Sequence, residues 1–161
     1  MSLRIGHGYD VHPFSDNPER PLVLGGVVFA GERGLVGHSD ADAIAHACTD
    51  ALLGPAGLGD IGQMFPDTDP ALEGADSMAL LRRAVERILV QGVTVHNVDV
   101  TVIAERPKLA PRKAEIESNL TVVIGAPVTV KGKRAEGLGA LGRTEGIAVT
   151  AVALIDIKES L

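Results

Sequence analysis

The sequence has almost no aromatic residues and no tryptophan. Aromatic residues make up 2% of the 161 residues, although hydrophobic residues make up 45%. The core must therefore be built from Val, Ile, Leu and Ala, which suits closely packed sheets and helices. A chain of this length is the usual size of one domain and can bury a core without disulfides or a structural metal. We predict a single domain over residues 1–161.

Cysteine is nearly absent as well. Cys48 is the one cysteine, so no disulfide can form within the chain. It lies inside a helical pattern, and we interpret it as a small buried apolar residue rather than a reactive thiol. This cysteine usage favours a reducing compartment, so a cytoplasmic location is predicted.

Long apolar runs and an excess of positive charge are also missing. No apolar run approaches the roughly 20 residues of a membrane helix, and the start MSLRIGHGYD has no signal-peptide core, so no membrane association is expected. The 15 basic and 21 acidic residues give a net charge of -6, which argues against nucleic acid as a partner. The short cluster Lys131, Lys133 and Arg134 is large enough to meet one phosphate. A mean hydropathy of +0.20 without membrane segments indicates buried subunit interfaces.

The order of predicted elements indicates an α+β fold with one layer of helices covering one face of a mixed sheet. The first predicted helix is capped by Ser39 or Asp40 and stopped by Gly54-Pro55. The hairpin turns at Gly25-Gly26. The remaining boundaries are a strand over Leu3–Val11, the hairpin over Leu22–Gly31, a helix over Asp76–Gln91, a strand over Val93–Ala104, a helix from near Pro111 to Gly125, and strands over Pro127–Lys131 and Ile147–Ile157.

The strongest candidate for chemistry is a metal site formed by Asp10, His12 and His46. In an extended segment, residues two apart project from the same face, so Asp10 and His12 can reach one ion together. Two imidazoles and one carboxylate suit Zn²⁺, and three protein ligands leave a fourth position open, as in catalytic zinc sites. The alternative is that His12 caps a turn and that His46 is a hydrogen-bonded core histidine.

His46 shares its helix face with two carboxylates. Asp42 precedes it by four residues and Asp50 follows it by four. These carboxylates either orient the imidazole of His46 from behind or lie at the helix surface.

Two neighbouring segments suggest that the site handles phosphate. His38, Ser39 and Asp40 stand where the predicted helix would present free backbone N–H groups, which bind anions. Gly59–Gly62 and Phe65–Asp69 form loops too polar for a core. A metal beside an anion-binding helix end outlines a phosphate site, although each loop alone could be a solvated surface loop.

Motifs in the same order along nearly the whole chain resemble the 2-C-methyl-D-erythritol 2,4-cyclodiphosphate synthase family. They are RIGHGYDVH from Arg4, HSDAD from His38, TDALLG from Thr49, GLGDIG from Gly57, FPDTDP from Phe65, NVDVTVIA from Asn97, RPKL from Arg106 and GRTEGIA from Gly142.

This resemblance implies the reaction and the assembly. The substrate would be 4-diphosphocytidyl-2-C-methyl-D-erythritol 2-phosphate. Its 2-phosphate would attack the β-phosphate to form the cyclic diphosphate and release CMP, a step of non-mevalonate isoprenoid synthesis. Members of the family are homotrimers with active sites between neighbouring subunits, and an isoprenoid diphosphate is a candidate ligand of the trimer's central cavity.

The resemblance also assigns residue roles. Asp10, His12 and His46 match zinc ligands, Asp10 and His12 also contact substrate, and Glu136 matches a ligand of a second ion, Mg²⁺ or Mn²⁺, beside the diphosphate. His38 is a catalytic candidate that contacts phosphate together with Ser39. Arg143 matches an arginine of the central cavity, with an intersubunit ion pair to Glu145 as the alternative. The remaining substrate contacts are Asp60, Ile61, Gly62, Phe65, Asp67 and Asp69 on the erythritol side, and Ala104, Pro107, Lys108, Leu109 and Ala110 around the cytosine.

The chain departs from the family at one motif. Many members carry Lys-Ala-Thr-Thr-x-Glu where this chain has KGKRAE from Lys131 to Glu136. Two threonine hydroxyls that would bind the α-phosphate are missing, and Lys133 and Arg134 take their places. Arg134 is the candidate for the catalytic role of the second threonine, because a guanidinium binds phosphate through two hydrogen bonds. Alternatively, both side chains point to solvent and backbone N–H groups hold the phosphate.

Two other functions are compatible with the same residues. A metal-dependent phosphohydrolase would use the open zinc position to activate water. A trimeric protein that binds metal or isoprenoid diphosphate without catalysis would follow if the lost threonines inactivate the site.

Overall fold

A computed structural model describes residues 2–158 of the chain. Four longer strands, one two-stranded hairpin and three longer helices make up most of the fold. In chain order the elements are β1 (Ser2–Pro13), β2 (Val23–Leu24), β3 (Val27–Val28), α1 (Ala43–Ala56), α2 (Ile61–Met64), a 3-10 helix (Pro70–Leu72), α3 (Ser77–Val90), β4 (Val93–Ile103), α4 (Lys113–Ile124), β5 (Val128–Lys133), α5 (Gly139–Gly142) and β6 (Gly146–Ile157).

The sheet is mixed, with strand order β1-β6-β4-β5. β6 runs antiparallel to both β1 and β4, and β4 runs parallel to β5. The predicted α+β fold with a mixed sheet is therefore confirmed. The chain reaches this order because the last strand inserts between the first strand and β4, which short-range sequence patterns do not reveal.

Helix α1 lies directly on β1 because two residues of the strand have no side chain. A Cβ atom at Gly6 would stand 1.9 Å from the carbonyl oxygen of Ala51, and one at Gly8 would stand 1.9 Å from that of Ala47. Any side chain at either position would push the helix away from the sheet. This close approach places the first turns of α1 beside Asp10 and His12, the next residues of β1 on the same face.

The core lies between this face of the sheet and the helices, and it is aliphatic as predicted. Its largest fully buried side chains are all Leu or Ile, namely Leu22, Leu24, Leu35, Ile44, Leu52, Leu53, Leu81, Ile88, Ile116, Leu120, Ile147 and Ile155. Cys48 is fully buried on α1, and burial raises the pKa of its thiol. Its interpretation as a packing residue is confirmed.

The opposite face of the sheet carries no helix among residues 2–158. On β1 the alternate side chains point to this face and remain exposed, with Leu3 at 66%, Ile5 at 76%, Tyr9 at 54% and Val11 at 48%. Val152 on β6 adds a further apolar side chain, opposite His7 in the register. We call this surface the open sheet face.

The start and end of α1 differ from the prediction. Its N-cap is Asp42, whose side chain accepts hydrogen bonds from the N–H groups of Ile44 and Ala45. The predicted caps Ser39 and Asp40 instead form short turns before the helix, accepting from Ala41 and Asp42 respectively. The helix continues through Gly54-Pro55 to Ala56 and ends at Gly57 in the left-handed conformation.

The other predicted elements lie close to their observed bounds. The hairpin turns at Gly25 and Gly26, whose φ angles of 58° and 72° suit glycine. Helix α3 starts after the cap Asp76, as predicted. The short helices α2 and α5 and the 3-10 helix were not predicted, because three or four residues show no periodicity. Within residues 2–158, no helix is long and apolar enough to cross a membrane.

Candidate metal centre and phosphate site

The three predicted metal ligands converge on one point. Oδ2 of Asp10 lies 2.9 Å from Nε2 of His12 and 3.0 Å from Nδ1 of His46. The two histidine nitrogens are 3.2 Å apart. In the part of the chain that the structure describes, this is the one group of three such side chains close enough to share a metal ion.

The fold accounts for this convergence. Asp10 and His12 project from the covered face of β1, opposite Val149 and Ile147 of β6. His46 occupies the first turn of α1, which the glycines of β1 bring close to the sheet. The three side chains retain little exposure, at 22% for Asp10, 18% for His12 and 12% for His46. The site therefore combines near-burial with convergent ligand atoms.

The spacing of the ligand atoms suits a tetrahedral ion such as zinc. Ligands about 2.0 to 2.1 Å from a tetrahedral centre stand roughly 3.3 Å from one another. The observed separations of 2.9, 3.0 and 3.2 Å are close to that value. Two nitrogens and one carboxylate oxygen also form a donor set that zinc accepts.

Hydrogen bonds behind the site orient both imidazoles. Nδ1 of His12 lies 2.6 Å from the carbonyl oxygen of Val36. A carbonyl oxygen only accepts, so this nitrogen carries the proton and Nε2 is left for the cluster. Nε2 of His46 contacts the hydroxyls of Ser77 at 2.9 Å and Ser39 at 3.2 Å. Both rings thus direct one nitrogen to the cluster and the other to fixed protein groups.

Neither Asp42 nor Asp50 forms a hydrogen bond with the imidazole of His46, and Asp42 does not lie at the helix surface, so both sequence-based alternatives are wrong for Asp42. The carboxylate of Asp50 accepts from the N–H of Ile61 at 2.7 Å. Asp42 is fully buried and accepts from four backbone N–H groups, those of Gly25, Gly26, Ile44 and Ala45. Burial raises the pKa of Asp42 to about 6 against the opposing effect of these hydrogen bonds.

The cluster is electrostatically coupled. Burial opposes ionisation of Asp10, but hydrogen bonds from His12 and His46 outweigh it and lower the pKa of the carboxyl to about 2. Burial also opposes the charged form of His12, and the hydrogen bond with Asp10 outweighs it, so the pKa of His12 is raised. Asp10 is therefore an anion at any physiological pH, as a metal ligand must be.

A cavity of about 430 Å³ opens beside the cluster, and we call it the β1-edge cavity. Most of the residues predicted for the erythritol side line it together with the three ligands, namely His38, Ser39, Ile61, Gly62, Phe65 and Asp67. Asp60 and Asp69 are not among its lining residues. They cap short helices instead, with Asp60 accepting from Gln63 and Asp69 from Ala71.

The helix terminus predicted to bind phosphate is not available. The first N–H groups of α1 donate to the buried carboxylate of Asp42, so an anion there would meet a negative group in place of free donors. The prediction of an anion site at this terminus is wrong. His38 and Ser39 reach the cavity from a loop before the helix. Arg20 holds this loop by donating to the carbonyl oxygens of Leu35, Gly37 and Ser39.

A second cavity, of about 630 Å³, lies beside β5, and we call it the β5-edge cavity. The residues predicted for the cytosine side and the phosphate line it, namely Ala104, Pro107, Lys108, Leu109, Ala110, Lys133 and Arg134. Lys113 and Lys131 also line it, so the lining contains five cationic side chains and one carboxylate, that of Glu105. This charge pattern favours an anionic ligand.

Arg134 is paired within the chain. Its Nη2 lies 2.8 Å from the carboxylate of Glu105, which also accepts from the N–H groups of Ala135 and Gly137. Arg134 is 69% exposed, whereas Glu105 is 10% exposed. Glu105 thus ties the turn after β5 to the loop after β4, a contact that no sequence pattern indicated.

The two cavities occupy opposite edges of the sheet. One row of paired residues crosses the sheet from β1 to β5, and it consists of Val11, Ala148, Ile103 and Lys133. Three strand spacings separate the ends of this row, about 14 Å. Glu136 and Arg143 are exposed and are not among the lining residues of either cavity, and Arg143 pairs within the chain with Glu145 at 2.6 Å.

Comparisons find known proteins that are similar to this chain over nearly its whole length. A family model described as the YgbB family matches residues 3–156. The chain is 52% identical to the 2-C-methyl-D-erythritol 2,4-cyclodiphosphate synthase of Yersinia enterocolitica, over 95% of this chain and 96% of that protein. The synthase of Yersinia pestis strain Pestoides F is 51% identical over the same shares.

Solved structures agree in fold. The bifunctional IspDF of Campylobacter jejuni is 40% identical with a TM-score of 0.92, covering 98% of this chain and 43% of that longer chain. A 2-C-methyl-D-erythritol 2,4-cyclodiphosphate synthase in its CDP-bound form is 37% identical with a TM-score of 0.85, covering 95% of this chain and all of the other. IspF of Plasmodium falciparum, in a CDP complex, is 34% identical with a TM-score of 0.84, covering 98% of each.

Proposed function

Because the chain belongs to the YgbB family, that of the 2-C-methyl-D-erythritol 2,4-cyclodiphosphate synthases, we propose that it catalyses the reaction of that name. It is an enzyme that converts 4-diphosphocytidyl-2-C-methyl-D-erythritol 2-phosphate to the 2,4-cyclodiphosphate and releases CMP. The observation that carries this function is the convergence of Asp10, His12 and His46 beside the β1-edge cavity in a chain of this family. The reaction is a phosphorus-oxygen lyase step of non-mevalonate isoprenoid synthesis.

The chemistry explains why the site needs no protein nucleophile. The substrate's own 2-phosphate attacks the β-phosphorus, and the bond from that phosphorus to the bridging oxygen of CMP breaks. The protein has to hold two anionic groups together and stabilise charge on the leaving phosphate, which positioning and fixed donors accomplish. The cations of the β5-edge cavity support the second of these tasks.

The metal sites follow from the donor groups. Asp10, His12 and His46 would hold a zinc ion, and Glu136 would help hold Mg²⁺ or Mn²⁺, for which a carboxylate is a suitable hard ligand. When bound, such ions supply Lewis-acid polarisation of the phosphate oxygens. His38 and Ser39 would position the phosphate from the loop that Arg20 holds.

The substrate would span two subunits. Its erythritol end would occupy the β1-edge cavity, whose wall includes Ile61, Gly62, Phe65 and Asp67. Asp60 and Asp69 cap the short helices beside this wall. Its cytidine end fits the β5-edge cavity, where backbone groups of Ala104 to Ala110 can read the base. Since these cavities lie at opposite edges of one sheet, the β5 edge of one copy would complete the site at the β1 edge of the next.

The open sheet face supports the homotrimer that this sharing requires. Its exposed Leu3, Ile5, Tyr9, Val11 and Val152 form an apolar surface of the kind that subunit interfaces bury. Three copies of 16.7 kDa would then place their sheets around a central axis. Arg143 and Glu145 would face the central cavity, where an isoprenoid diphosphate could meet the guanidinium. A monomer in light scattering at assay concentrations would contradict the shared site.

A cytoplasmic location would suit this pathway, and the single cysteine, Cys48, which is free and forms no disulfide within the chain, supports it. The whole of residues 1–161 would form the single catalytic domain, of which the family model matches residues 3–156.

Product analysis tests the function. We expect the purified protein, given the cytidyl substrate and Mg²⁺, to release CMP and the cyclic diphosphate in equal amounts. Linear products with inorganic phosphate would indicate a phosphohydrolase instead. No turnover by a folded, metal-loaded protein would indicate a binding protein without catalysis.

A further inference from the structure

The hydroxyl of Ser77 stands behind His46 in a position that neither the family motifs nor the cavity linings include. Ser77 is the first residue of α3 and is fully buried. Its Oγ lies 2.9 Å from Nε2 of His46, on the side of the ring away from Asp10 and His12. Because it is buried, this hydroxyl cannot contact a substrate in the cavity and acts on the site only through its neighbours.

Asp40 determines which way the hydroxyl of Ser77 points. The Ser77 hydroxyl makes a short hydrogen bond to Oδ1 of Asp40, and the Ser77 N–H lies 3.2 Å from Oδ2 of the same carboxylate. A carboxylate only accepts, so the single hydroxyl proton of Ser77 is donated to Asp40. The lone pairs of Ser77 Oγ are then left to accept a proton from Nε2 of His46.

The carboxylate of Asp40 is itself held in place. Its Oδ1 accepts from the N–H of Asp42, and its backbone N–H donates to the carbonyl oxygen of Ala75. Ser39 adds a second hydroxyl, 3.2 Å from Nε2 of His46 and 3.1 Å from Ser77 Oγ. With Asp40 fixed as the acceptor, Nε2 of His46 donates to Ser77 Oγ and the Ser77 hydroxyl donates to the carboxylate.

We propose that Ser77 and Asp40 are positioning residues that hold His46 with its proton on Nε2 and its lone pair on Nδ1, ready for the metal. This deepens the proposed function, since it concerns the metal centre on which that function depends. In many metal sites a carboxylate accepts directly from the second nitrogen of a metal-binding histidine. Here Ser77 stands between His46 and the carboxylate of Asp40, and we call the chain of hydrogen bonds from His46 through Ser77 to Asp40 the relay. The relay also couples the start of α3 to α1 through the site.

Zinc affinity tests the relay without any substrate. Parent protein, Ser77→Ala, Asp40→Ala, the double variant and Ser118→Ala are titrated with zinc against a chromophoric chelator. Ser118 is an exposed serine on α4 and is the matched control. We expect Ser77→Ala to weaken zinc binding about 10- to 100-fold, the usual effect of losing such a partner, and Ser118→Ala to leave it unchanged. The double variant should bind zinc as Ser77→Ala does, because both changes break one chain of hydrogen bonds.

A spectroscopic signature separates positioning from general loosening of the fold. In zinc-loaded parent protein, the Nε2–H proton of His46 should give a protected NMR signal, and this signal should be lost in Ser77→Ala while thermal unfolding stays cooperative. Should Ser77→Ala fail to fold, Asp40→Ala carries the same comparison, and Ser77→Thr should retain affinity because it keeps the hydroxyl.

Several outcomes overturn the relay. One is zinc binding by Ser77→Ala and Asp40→Ala within about twofold of the parent. Others are additive losses in the double variant or a parent protein that binds no zinc. Turnover is measured separately, so absent product together with the expected zinc losses counts against the proposed reaction alone.

Discussion

The β1-edge cavity and the β5-edge cavity meet the same end of one sheet, yet their functional side chains are held in different ways. At the β1 edge, Asp10, His12 and His46 are each at most 22% exposed and touch fixed partners. At the β5 edge, Lys131 is 46% exposed and Arg134 is 69% exposed, and both rely on surface ion pairs with Asp99 and Glu105.

This difference predicts at which of the two cavities substitutions should have the larger energetic effect. Buried polar groups that lose a partner carry a large desolvation penalty, whereas exposed ion pairs contribute little. The β1-edge cavity is therefore a pre-formed centre that tolerates few changes. The β5-edge cavity is adaptable, which fits the departure from the family motif that the sequence indicates at Lys133 and Arg134.

The sharpest test of this contrast removes a metal ligand. We expect His46→Ala and Asp10→Ala each to lose bound zinc and to reduce CMP release to background, because three ligands leave no spare. The proposed trimer should survive, since neither side chain lies on the open sheet face. His96→Ala, an exposed histidine of β4, is the control. Full zinc occupancy in either ligand variant, measured by metal analysis, would contradict the assignment.

Removing the cap of α1, the helix that carries His46, should lower stability. Asp42→Ala leaves the N–H of Gly25 buried without an acceptor, and it also removes the acceptor of the Gly26 N–H and the cap of α1. We expect a loss of about 3 kcal/mol in the free energy of unfolding. Asp76→Ala, at the exposed cap of α3, should cost about 1 kcal/mol. Equal losses in denaturant titrations would show that burial of the cap is unimportant.

At the β5 edge, Arg134→Ala tests whether this guanidinium replaces a threonine. If it leaves Glu105 to bind the α-phosphate, its removal should lower kcat/KM roughly tenfold to hundredfold. Lys133→Ala provides the comparison, because both side chains line the β5-edge cavity and the larger loss identifies the side chain that holds the phosphate. Changes below about twofold in both variants would assign the phosphate to backbone N–H groups instead.

The pH dependence of zinc binding should separate the ligands. The raised pKa of His12 means that the metal-free site holds a proton that zinc must displace. Apparent affinity should therefore fall about tenfold per pH unit once pH drops below that raised value, beginning above pH 6.5, the ordinary value for histidine. Asp10, with a pKa of about 2, should contribute no further loss between pH 8 and about pH 4. A loss of affinity that begins only below pH 6.5 in chelator competition would refute the coupling between Asp10 and His12.

Much of this could be predicted from the sequence, because the determining physics is local. Alternating, β-branched residues mark β4, and the helical spacing of apolar residues after Asp76 marks α3. The pair Gly25-Gly26 dictates its turn through positive φ. The spacing of Asp10 and His12 puts both side chains on one face of β1, and with His46 it predicted the metal centre.

Local sequence patterns failed for features that depend on hydrogen bonds to residues far away along the chain. Asp40 and Asp42 are both good caps, and burial against Gly25 and Gly26 decides that Asp42 starts α1. Because Asp42 is the cap, its carboxylate occupies the first N–H groups of α1, where the sequence predicted a phosphate site. Arg20, Ser77 and Glu105 carry no motif, and their roles arise only because their partners lie 15 to 37 residues away along the chain.

By itself, the sequence determined the aliphatic core, the α+β class, the three converging ligands and, through its motifs, the family. Each of these depends on residue type and short spacing, which chain geometry converts directly into structure. Only the tertiary structure decided that β6 separates β1 from β4, and hence that three strand spacings, about 14 Å, separate the two edge strands that the cavities adjoin. It alone decided which hydroxyl and which carbonyl stand behind each histidine, because hydrogen bonds between distant segments form only when the whole core is packed.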